Sequence, residues 1–324
     1  MSERRQRVFS GIQPSGVSHI GNYLGAIRNW VDQQEKYDNV FCIVNLHALT
    51  LPTSRDPLLA NTVTMANTLL AAGIDPMQSI LFVQSDVREH SEATWVLNSV
   101  TQFGELRRMT QFKDKSGGQD ESVSAALFGY PVLQAADILL YDTDLVPVGE
   151  DQRQHIELTR DVAIRFNQRY SETFVVPKPD IKPEGARIMA LDDPLKKMSK
   201  SSASTGSYVA FTDDADSIVK KIRRAVTDSI GTVRYDAERP GISNLLTIYS
   251  LLSGRSIAEL ELDYDGKGYG AFKNDLAEIV VAALAPIQDR FVELENDPSV
   301  ALGVLADGAE RARAFAAPKM ALIR

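Results

Sequence analysis

The first half of the sequence alternates short apolar runs with helical patterns, and this alternation constrains the fold more than any other feature. The run RVFSG precedes a helical pattern over about residues 19–36, in which Ile20, Leu24 and Ile27 recur on one face. The run VFCIV is continuously apolar, as expected for a strand buried on both faces of a parallel sheet. A helix over about residues 56–72 and the run SILFVQ follow. This β-α-β-α-β order predicts a doubly wound α/β sheet.

The pattern changes along the chain in a way that predicts two domains. From about His90 to Leu127 the pattern is helical and is interrupted by KDKSGGQDES, which we interpret as a surface loop. We place a helical insertion at about residues 75–125. Further strand-helix units are expected around DLVPVGEDQ and RIMALDD. After about residue 206 the patterns are helical. We therefore predict a Rossmann-like parallel-sheet domain over residues 1–205 and an all-α domain over residues 206–324.

Composition excludes several kinds of site and location. The 324 residues include one cysteine, Cys42, which excludes a disulfide framework or a cysteine metal site and is typical of a reducing cytoplasm. The start, MSERRQRVF, lacks the apolar core of a signal peptide, and no apolar stretch approaches the ~20 residues that cross a bilayer. The net charge of −8 argues against a uniformly basic nucleic-acid coat, but a local patch can still bind phosphates. Neither a membrane nor DNA is an expected partner.

The joint between the first strand and the first helix, GIQPSGVSHIGN, has the composition of a phosphate-binding turn. Helix N-termini present free N–H groups and partial positive charge, and glycines let a ligand approach the backbone. The joint contains neither a Walker A lysine pattern nor GxGxxG, so it is neither a P-loop nor a dinucleotide fingerprint. A glycine-rich turn with a helix-capping histidine is an equal alternative for this stretch alone. The candidate residues are Gln13, Pro14, Ser15, His19, Gly21 and Asn22.

A second segment, DPLKKMSKSSASTG, follows the run RIMAL, which we interpret as the last strand of the sheet. Lys197 and Lys200 stand three residues apart in a stretch rich in serine and glycine. Two lysines on a flexible loop suit a polyphosphate that must be bound and then released. A solvated linker is the alternative interpretation of this segment alone.

Together the two segments resemble the paired signatures of the class I aminoacyl-tRNA synthetases. PSGVSHIGN is similar to their HIGH motif, and KMSKS at residues 197–201 matches their second signature letter for letter. Asn22 stands where many members have a second histidine. An amide can donate a hydrogen bond but carries no charge, so the resemblance implies a positioning role for Asn22 rather than acid chemistry.

A third segment, FGYPVLQAADILLYDTDLVPVGEDQ, combines a helix with one polar face and an acidic turn. Residues at i, i+4, i+7 and i+11 of the helix share that face; they are Tyr130, Gln134, Asp137 and Tyr141. A buried carboxylate needs hydrogen-bond donors, so Asp137 either faces a ligand or lies at an N-cap or on the surface. The acidic residues of the turn at 149–152 suit a helix N-terminus, a ribose or an ammonium group.

This segment, with MTQFKDKS, GARIM, AVTDS and PGISNLL, is similar to the bacterial tryptophanyl-tRNA synthetases over nearly the whole chain. Tyrosyl-tRNA synthetases are the near alternative, since archaeal and eukaryotic members also carry YP-x-x-Q-x-x-D. Phe9 stands where they usually have a tyrosine, and Gln13 where they tend to have an acidic residue. Many bacterial tryptophan enzymes have methionine at the position of Gln134. An indole needs one acceptor and apolar walls, which Asp137 and Phe9 can supply.

The resemblance implies ATP-dependent activation of L-tryptophan to tryptophanyl-adenylate and transfer to tRNA(Trp), in the cytoplasm. It also implies a homodimer with the insertion at residues 75–125 as interface, an anticodon-binding domain at residues 206–324, and Mg²⁺ held by phosphate oxygens rather than by a protein metal site. Two further interpretations are a non-catalytic tRNA-binding paralogue and a nucleotidyltransferase of the same superfamily. The retained histidine and lysines of the signatures argue against both.

The resemblance also assigns roles to individual residues. The implied catalytic residues are His19, Asn22, Lys197 and Lys200. The implied ATP contacts are Gln13, Pro14, Ser15, Gly21, Asn22, Gly149, Glu150, Asp151, Ile188, Lys197, Met198, Ser199, Lys200 and Ser201. Lys113 and Lys115 match family lysines that reach the triphosphate, with a plain solvent role as the alternative. The implied tryptophan contacts are Phe9, Tyr130, Gln134, Asp137, Val146, Val148 and Gln152.

Overall fold

A five-stranded parallel sheet forms the centre of the computed structural model, which describes residues 4–16, 18–50, 54–111, 124–181, 187–200 and 204–324. The strands are β1 (Arg7–Ile12), β2 (Asp38–Ile43), β3 (Ile80–Val83), β4 (Leu145–Pro147) and β5 (Lys178–Asp180). Their order across the sheet is β3-β2-β1-β4-β5, and every pairing is parallel. The chain thus runs outward from β1 in both directions, which confirms the predicted doubly wound sheet.

Helices cover both faces of the sheet and make up the second part of the chain. The first part contains α1 (Ile20–Asn22), which continues through a π-helical turn (Tyr23–Ile27) into α2 (Arg28–Asp32), then α3 (Asn45–Ala48), α4 (Arg55–Ala71), α5 (Glu89–Asn98), α6 (Phe103–Arg108), α7 (Ala125–Leu139) and α8 (Arg153–Arg169). The second part contains α9 (Ala215–Arg224), α10 (Pro240–Ser253), α11 (Ile257–Asp263), α12 (Gly268–Asn296) and α13 (Pro298–Ile323). None of the described helices combines the length and the apolar composition needed to cross a membrane.

The two faces of the sheet bury different side chains because successive strand residues point in opposite directions. On one face, Phe9, Cys42 and Phe82 pack against helices α5, α7 and α8. On the other face, Phe41 and Leu81 pack against α2 and α4. Helices α9 to α12 bury a third core, which α1 and the segment around residue 188 also enter.

The run RIMAL is not a strand, contrary to the expectation from the sequence. Met189 forms only an isolated antiparallel bridge with Lys197. Its backbone N–H donates to Asn244 Oδ1 at 2.8 Å and its carbonyl accepts from Asn244 Nδ2 at 3.0 Å, so a side chain of α10 takes the place of a neighbouring strand. The fifth strand is instead β5, whose central Pro179 is tolerated because β5 lies at a sheet edge.

Helix α13 crosses the opposite edge of the sheet, at β3. Ala301 and Leu305 near its start belong to the core that α4 covers. Residues from Ala309 onward belong to the core on the other face. Gly308 lies at the crossing, where an added Cβ would overlap the carbonyl oxygen of Leu81. The helix therefore lies directly on the strand backbone and shields an edge that could pair with another chain.

Candidate active site

A cavity of about 780 Å³ opens where the strand order reverses, at the carboxyl ends of β1 and β4. Ligands of open α/β sheets bind at this position. Its wall contains most of the predicted site residues: Phe9, Gln13, His19, Gly21, Asn22, Tyr130, Gln134, Asp137, Val146, Val148, Gly149, Glu150, Asp151, Gln152, Ile188, Lys197 and Met198. The three sequence segments, which are far apart along the chain, therefore meet at one site.

Other predicted residues lie beside the cavity or outside the described part of the chain. Pro14 is buried and Ser199 is half-buried, and neither is part of the wall. Lys200 and Ser15 are exposed, and Lys200 Nζ donates to the Ser15 carbonyl at 3.0 Å. This bond joins the loop at residues 197–200 to the turn after β1. The remaining predicted residues, Lys113, Lys115 and Ser201, lie outside the described residues.

His19 stands at the start of α1 as a buried, neutral ring. Its backbone N–H donates to Asn22 Oδ1 at 3.1 Å, and its Nδ1 has no hydrogen-bond partner among the described residues. Burial, followed by the positive charges of Lys197 and Lys200, lowers the pKa of His19 to about 4. The ring is therefore uncharged at pH 7, and the residue lines the cavity.

The lysine loop is anchored to the protein through Met198. Met198 is buried with Ile20 and Leu24 in the core of the second part, and its N–H donates to the Ile188 carbonyl at 2.9 Å. Gly21 separates this side chain from the His19 ring, since an added Cβ would lie 3.0 Å from the ring and 3.4 Å from the Met198 Cβ. The two lysines on either side of Met198 remain exposed.

Asp137 is a buried anion in the cavity wall, with 1% of its surface exposed. Its Oδ1 accepts from His90 Nδ1 at 2.6 Å and from Gln84 Nε2 at 2.7 Å. Its Oδ2 accepts from His47 Nε2 and from Gln84 Nε2, both at 2.8 Å. Burial alone would raise the pKa of Asp137, but the hydrogen bonds from His47 and His90 outweigh it and hold the pKa well below the ordinary value.

Reasoning from the sequence missed the three donors to Asp137. His47 lies just after β2 and Gln84 just after β3, at the carboxyl ends of strands where ligand-binding residues of such sheets are found. That placement is a signal that could have revealed them. His90 gives no comparable signal in the sequence, because it lies in helix α5 and not directly after a strand. It is held at Asp137 by Tyr141, whose hydroxyl lies 2.8 Å from His90 Nε2.

An apolar slot adjoins the carboxylate. Phe9 is buried and stacks on Tyr141 with ring centroids 5.7 Å apart and an interplanar angle of 15°. Val146 and Val148 of the β4 region line the same cavity. The walls of the slot are therefore an aromatic ring and branched apolar side chains, and the Asp137 carboxylate lies among them.

A polar patch borders the slot, where α7 and α8 approach each other. The Tyr130 hydroxyl lies 2.7 Å from His155 Nε2 and donates to Gln111 Oε1 at 3.3 Å. Burial raises the pKa of Tyr130 to about 12, so its hydroxyl remains protonated. The helical pattern of the sequence predicts only a packing role for His155, and the structure adds this hydrogen bond.

The acidic turn before α8 lines the cavity from the solvent side. Glu150 is exposed and forms an ion pair with Arg153, with Oε1 2.6 Å from Arg153 Nε. Gln152 Nε2 donates to Asp151 Oδ2 at 3.0 Å. The turn thus presents oxygen acceptors and backbone groups to the cavity. Within the described ranges, no group of three or more His, Cys, Asp or Glu side chains is arranged to hold a metal ion.

Comparison with known proteins identifies the family. A sequence profile of the tRNA synthetases class I (W and Y) matches residues 1–285. The chain belongs to this family. It is 55% identical over 320 residues to tryptophan-tRNA ligase 2 of Streptomyces avermitilis, and the match covers 98% of this chain and 95% of that protein.

Solved structures of the family share the fold over nearly the full chain. Tryptophanyl-tRNA synthetase from Mycoplasma pneumoniae has a TM-score of 0.87 at 36% identity, and the match covers 98% of this chain and 96% of that one. The Campylobacter jejuni enzyme, solved with ADP and tryptophan, has a TM-score of 0.83 at 39% identity, and the match covers 98% of both chains. The resemblance inferred from the sequence motifs and the predicted fold class are both confirmed.

Proposed function

We propose that this protein is a tryptophan-tRNA ligase, which activates L-tryptophan with ATP and transfers the aminoacyl group to tRNA(Trp). The observation that carries the proposal is one cavity that joins a buried carboxylate in an apolar slot to a turn and loop of phosphate-binding character. The full-length similarity to tryptophan-tRNA ligases supports it. Tyrosyl-tRNA synthetase is less favoured, because the wall of the slot at β1 is Phe9, which offers no polar partner for a phenol.

The amino acid would occupy the slot with its ring between Phe9 and the valines of β4. The indole N–H would donate to Asp137, the acceptor at the closed end of the slot. Tyr130 and Gln152 would hold the ammonium group at the open end, where both line the cavity. Gln134 lines the same wall and would contact the ring. This orientation directs the substrate carboxylate toward the turn after β1.

ATP would lie along the turn and the lysine loop. Gly21 and Ile188 would face the adenine and residues 149–151 the ribose, while the phosphates reach Gln13, His19 and Asn22. The substrate carboxylate oxygen bonds to the α-phosphorus as the bond to pyrophosphate breaks, giving tryptophanyl-adenylate. Lys197 and Lys200 would neutralise the charge that develops on the pyrophosphate. No covalent enzyme intermediate is required, so catalysis rests on positioning and charge stabilisation.

The second half-reaction requires the tRNA. The terminal hydroxyl of the tRNA attacks the carbonyl carbon of the adenylate and AMP leaves. We assign the anticodon to the helical residues 206–324. Mg²⁺ would be held by the phosphate oxygens and neutralise part of their charge. We place the reaction in the cytoplasm.

A homodimer is the proposed assembly, with α5 and α6 in the interface. Trp95 on α5 and Phe103 on α6 are 80% and 70% exposed. Large exposed apolar side chains on neighbouring helices are characteristic of protein interfaces. Both helices pack on α7, which carries Asp137, so a partner seated there would support the amino-acid slot.

ATP-pyrophosphate exchange with tryptophan, tyrosine and phenylalanine tests the proposal. The protein should exchange with tryptophan far faster than with the other two. Asp137→Ala should lower the preference for tryptophan over phenylalanine by about tenfold or more, because the indole N–H loses its acceptor. Asp161→Ala, at an exposed acidic position of α8, is the matched control and should leave the ratio unchanged. Preferred exchange with tyrosine, or no exchange at all, would contradict the proposal.

A further inference from the structure

The carboxylate proposed to read the indole N–H is already surrounded by three donor nitrogens of the protein. A carboxylate offers about four lone-pair sites. Four contacts of 2.6–2.8 Å occupy Asp137, two on each oxygen. A ring N–H arriving from the cavity would be a fourth donor, on a carboxylate whose two oxygens each already have two contacts. We therefore expect it to compete with the protein donor that lies nearest to the cavity.

Two of the three donors are fixed by a second hydrogen bond on the side away from Asp137. Gln84 is fully buried, and its Oε1 accepts from the Leu46 N–H at 3.0 Å, which fixes its amide nitrogen toward Asp137. His90 is also fully buried. Burial raises the pKa of Tyr141, so its hydroxyl keeps the proton and donates to His90 Nε2, leaving Nδ1–H to donate to Asp137. Neither donor lines the cavity.

His47 is also buried, with 6% of its surface exposed, but it differs from the other two donors in its access to the cavity. It lines the cavity and belongs to α3, a helix of four residues. Its ring meets Tyr130 edge-on at 6.1 Å, and Tyr130 is itself a cavity residue. Its hydrogen bond goes to Oδ2 at 2.8 Å. Among the described donors it is therefore the one that a ligand can reach.

We propose that His47 is the exchangeable donor to Asp137 and a specificity-determining residue of the amino-acid slot. The substrate N–H replaces the His47 bond to Oδ2, while Gln84 and His90 keep theirs. This inference rests on the proposed function. When a ring with an N–H binds, Asp137 gains one hydrogen bond and loses another. The free energy by which such a ring is preferred is therefore the difference between these two bonds and not the full free energy of one bond. A ring without N–H leaves the His47 bond intact, so His47 moderates the preference for tryptophan.

The test compares the binding of L-tryptophan with that of L-3-(1-benzothien-3-yl)alanine, in which sulfur replaces the N–H. Calorimetry on the full chain gives the ratio of the two dissociation constants. In His47→Ala no competing donor remains, so the ratio should rise about tenfold in favour of tryptophan. His47→Gln restores an N–H donor and should return the ratio toward that of the unaltered protein. An unchanged or smaller ratio in His47→Ala would show that the bond persists in the complex and would overturn the proposal.

A second measurement needs no variant. The chain has four histidines, so the His47 Nε2–H resonance can be resolved in protein labelled with ¹⁵N-histidine. L-tryptophan should shift it away from the hydrogen-bonded position, whereas benzothienylalanine should leave it in place. A resonance that responds to neither ligand, or equally to both, would refute the exchange.

The failure of the proposed function can be told apart from the failure of this inference. If Asp137→Ala leaves the ratio of the two dissociation constants unchanged when it is added to His47→Ala, where no exchange can mask its effect, Asp137 does not read the ring N–H and the recognition itself is wrong. If Asp137→Ala lowers the ratio but His47→Ala does not raise it, the recognition stands and only the exchange is wrong.

Discussion

At the scale of single residues, the site contains two buried groups held in opposite charge states. His19 is kept neutral by burial and by two lysines, and Asp137 is kept ionised by three donors despite its burial. Each state suits the proposed ligand. A neutral ring beside two cations can bond a phosphate without adding to their mutual repulsion, and an anion in an apolar slot is the strongest acceptor for an indole N–H.

The depressed pKa of His19 predicts a dependence of stability on pH. The folded protein binds fewer protons than the unfolded chain between the folded pKa of about 4 and the ordinary value of 6.5. Protonation therefore favours unfolding, and stability is lost as pH falls through this window. Relative to His19→Asn, the unaltered protein should lose about 2 kcal/mol between pH 7 and pH 5. Urea unfolding of both proteins at the two pH values measures the difference, and parallel losses would contradict the neutral His19.

Side chains named by a sequence motif were easier to predict than those that hold them in place. The positions of His19, Asp137 and Tyr130 in the cavity follow from helix periodicity and from the turn after β1. His90 could not be predicted, because its bond to Asp137 spans 47 positions and depends on how α5 packs on α7. The roles assigned to the site residues remain predictions.

At the scale of elements, the loop at residues 197–200 combines a buried anchor with two exposed lysines. Met198 is part of a hydrophobic core, whereas Lys197 and Lys200 are exposed. Lys200 donates to the Ser15 carbonyl, and its ammonium group has two further N–H donors that could contact a phosphate. The anchor keeps both lysines next to the cavity.

This arrangement predicts that Lys200 acts in the transition state. Lys200→Ala should lower the single-turnover rate of adenylate formation by about 10²–10³, while the dissociation constant of tryptophan changes less than about twofold. Lys196→Ala is the matched control, because Lys196 is a neighbouring exposed lysine paired with Asp193 at 2.8 Å. Comparable losses of rate and of tryptophan binding in Lys200→Ala would argue against the role.

The crossing of α13 over β3 predicts an effect of one methyl group. Gly308→Ala should destabilise the protein by about 1–3 kcal/mol, because the new Cβ must push the helix off the Leu81 carbonyl. Gly303→Ala in the same helix meets no atom within 4 Å and should instead stabilise it by about 0.5–1 kcal/mol. Denaturant unfolding of both variants gives the comparison. Equal effects of the two changes would show that the crossing is not close-packed.

Elements with strong periodicity were predicted well, and those without it were not. The strands β1 to β3 and the long helices follow from continuous apolar runs and from the helical repeat. The short strand β5 has no such pattern, since Pro179 stands at its centre. The run RIMAL has strand-like composition, but Asn244 satisfies the backbone of Met189 through contacts 55 positions away, which no local pattern encodes.

At the scale of the whole molecule, the three hydrophobic cores are connected, because single elements contribute side chains to more than one part of the chain. The proposed dimer would join two such molecules beside their amino-acid slots. Ile20 and Leu24 follow the turn after β1 but pack in the core of α9 to α12. Ala309 lies in the last described helix but packs against the sheet. The turn after β1 is thus supported by both parts of the chain.

The dimer predicts a response to charge on α5. Trp95→Glu should convert the dimer to monomers at micromolar concentration, because it places a carboxylate in a desolvated apolar contact. Leu262→Glu, at a position that is 73% exposed on α11, is the control and should leave the dimer intact. Sedimentation velocity distinguishes the species. Dissociation by both variants, or by neither, would place the interface elsewhere.

The course of α13 also bears on how the protein is made. The nascent chain completes β3 long before the ribosome adds the helix that shields it. During that interval the outer strand presents unpaired amides together with apolar side chains on both faces. We therefore expect partly synthesised chains to be the species most dependent on chaperones, and release of the last helix to be the step that ends this dependence.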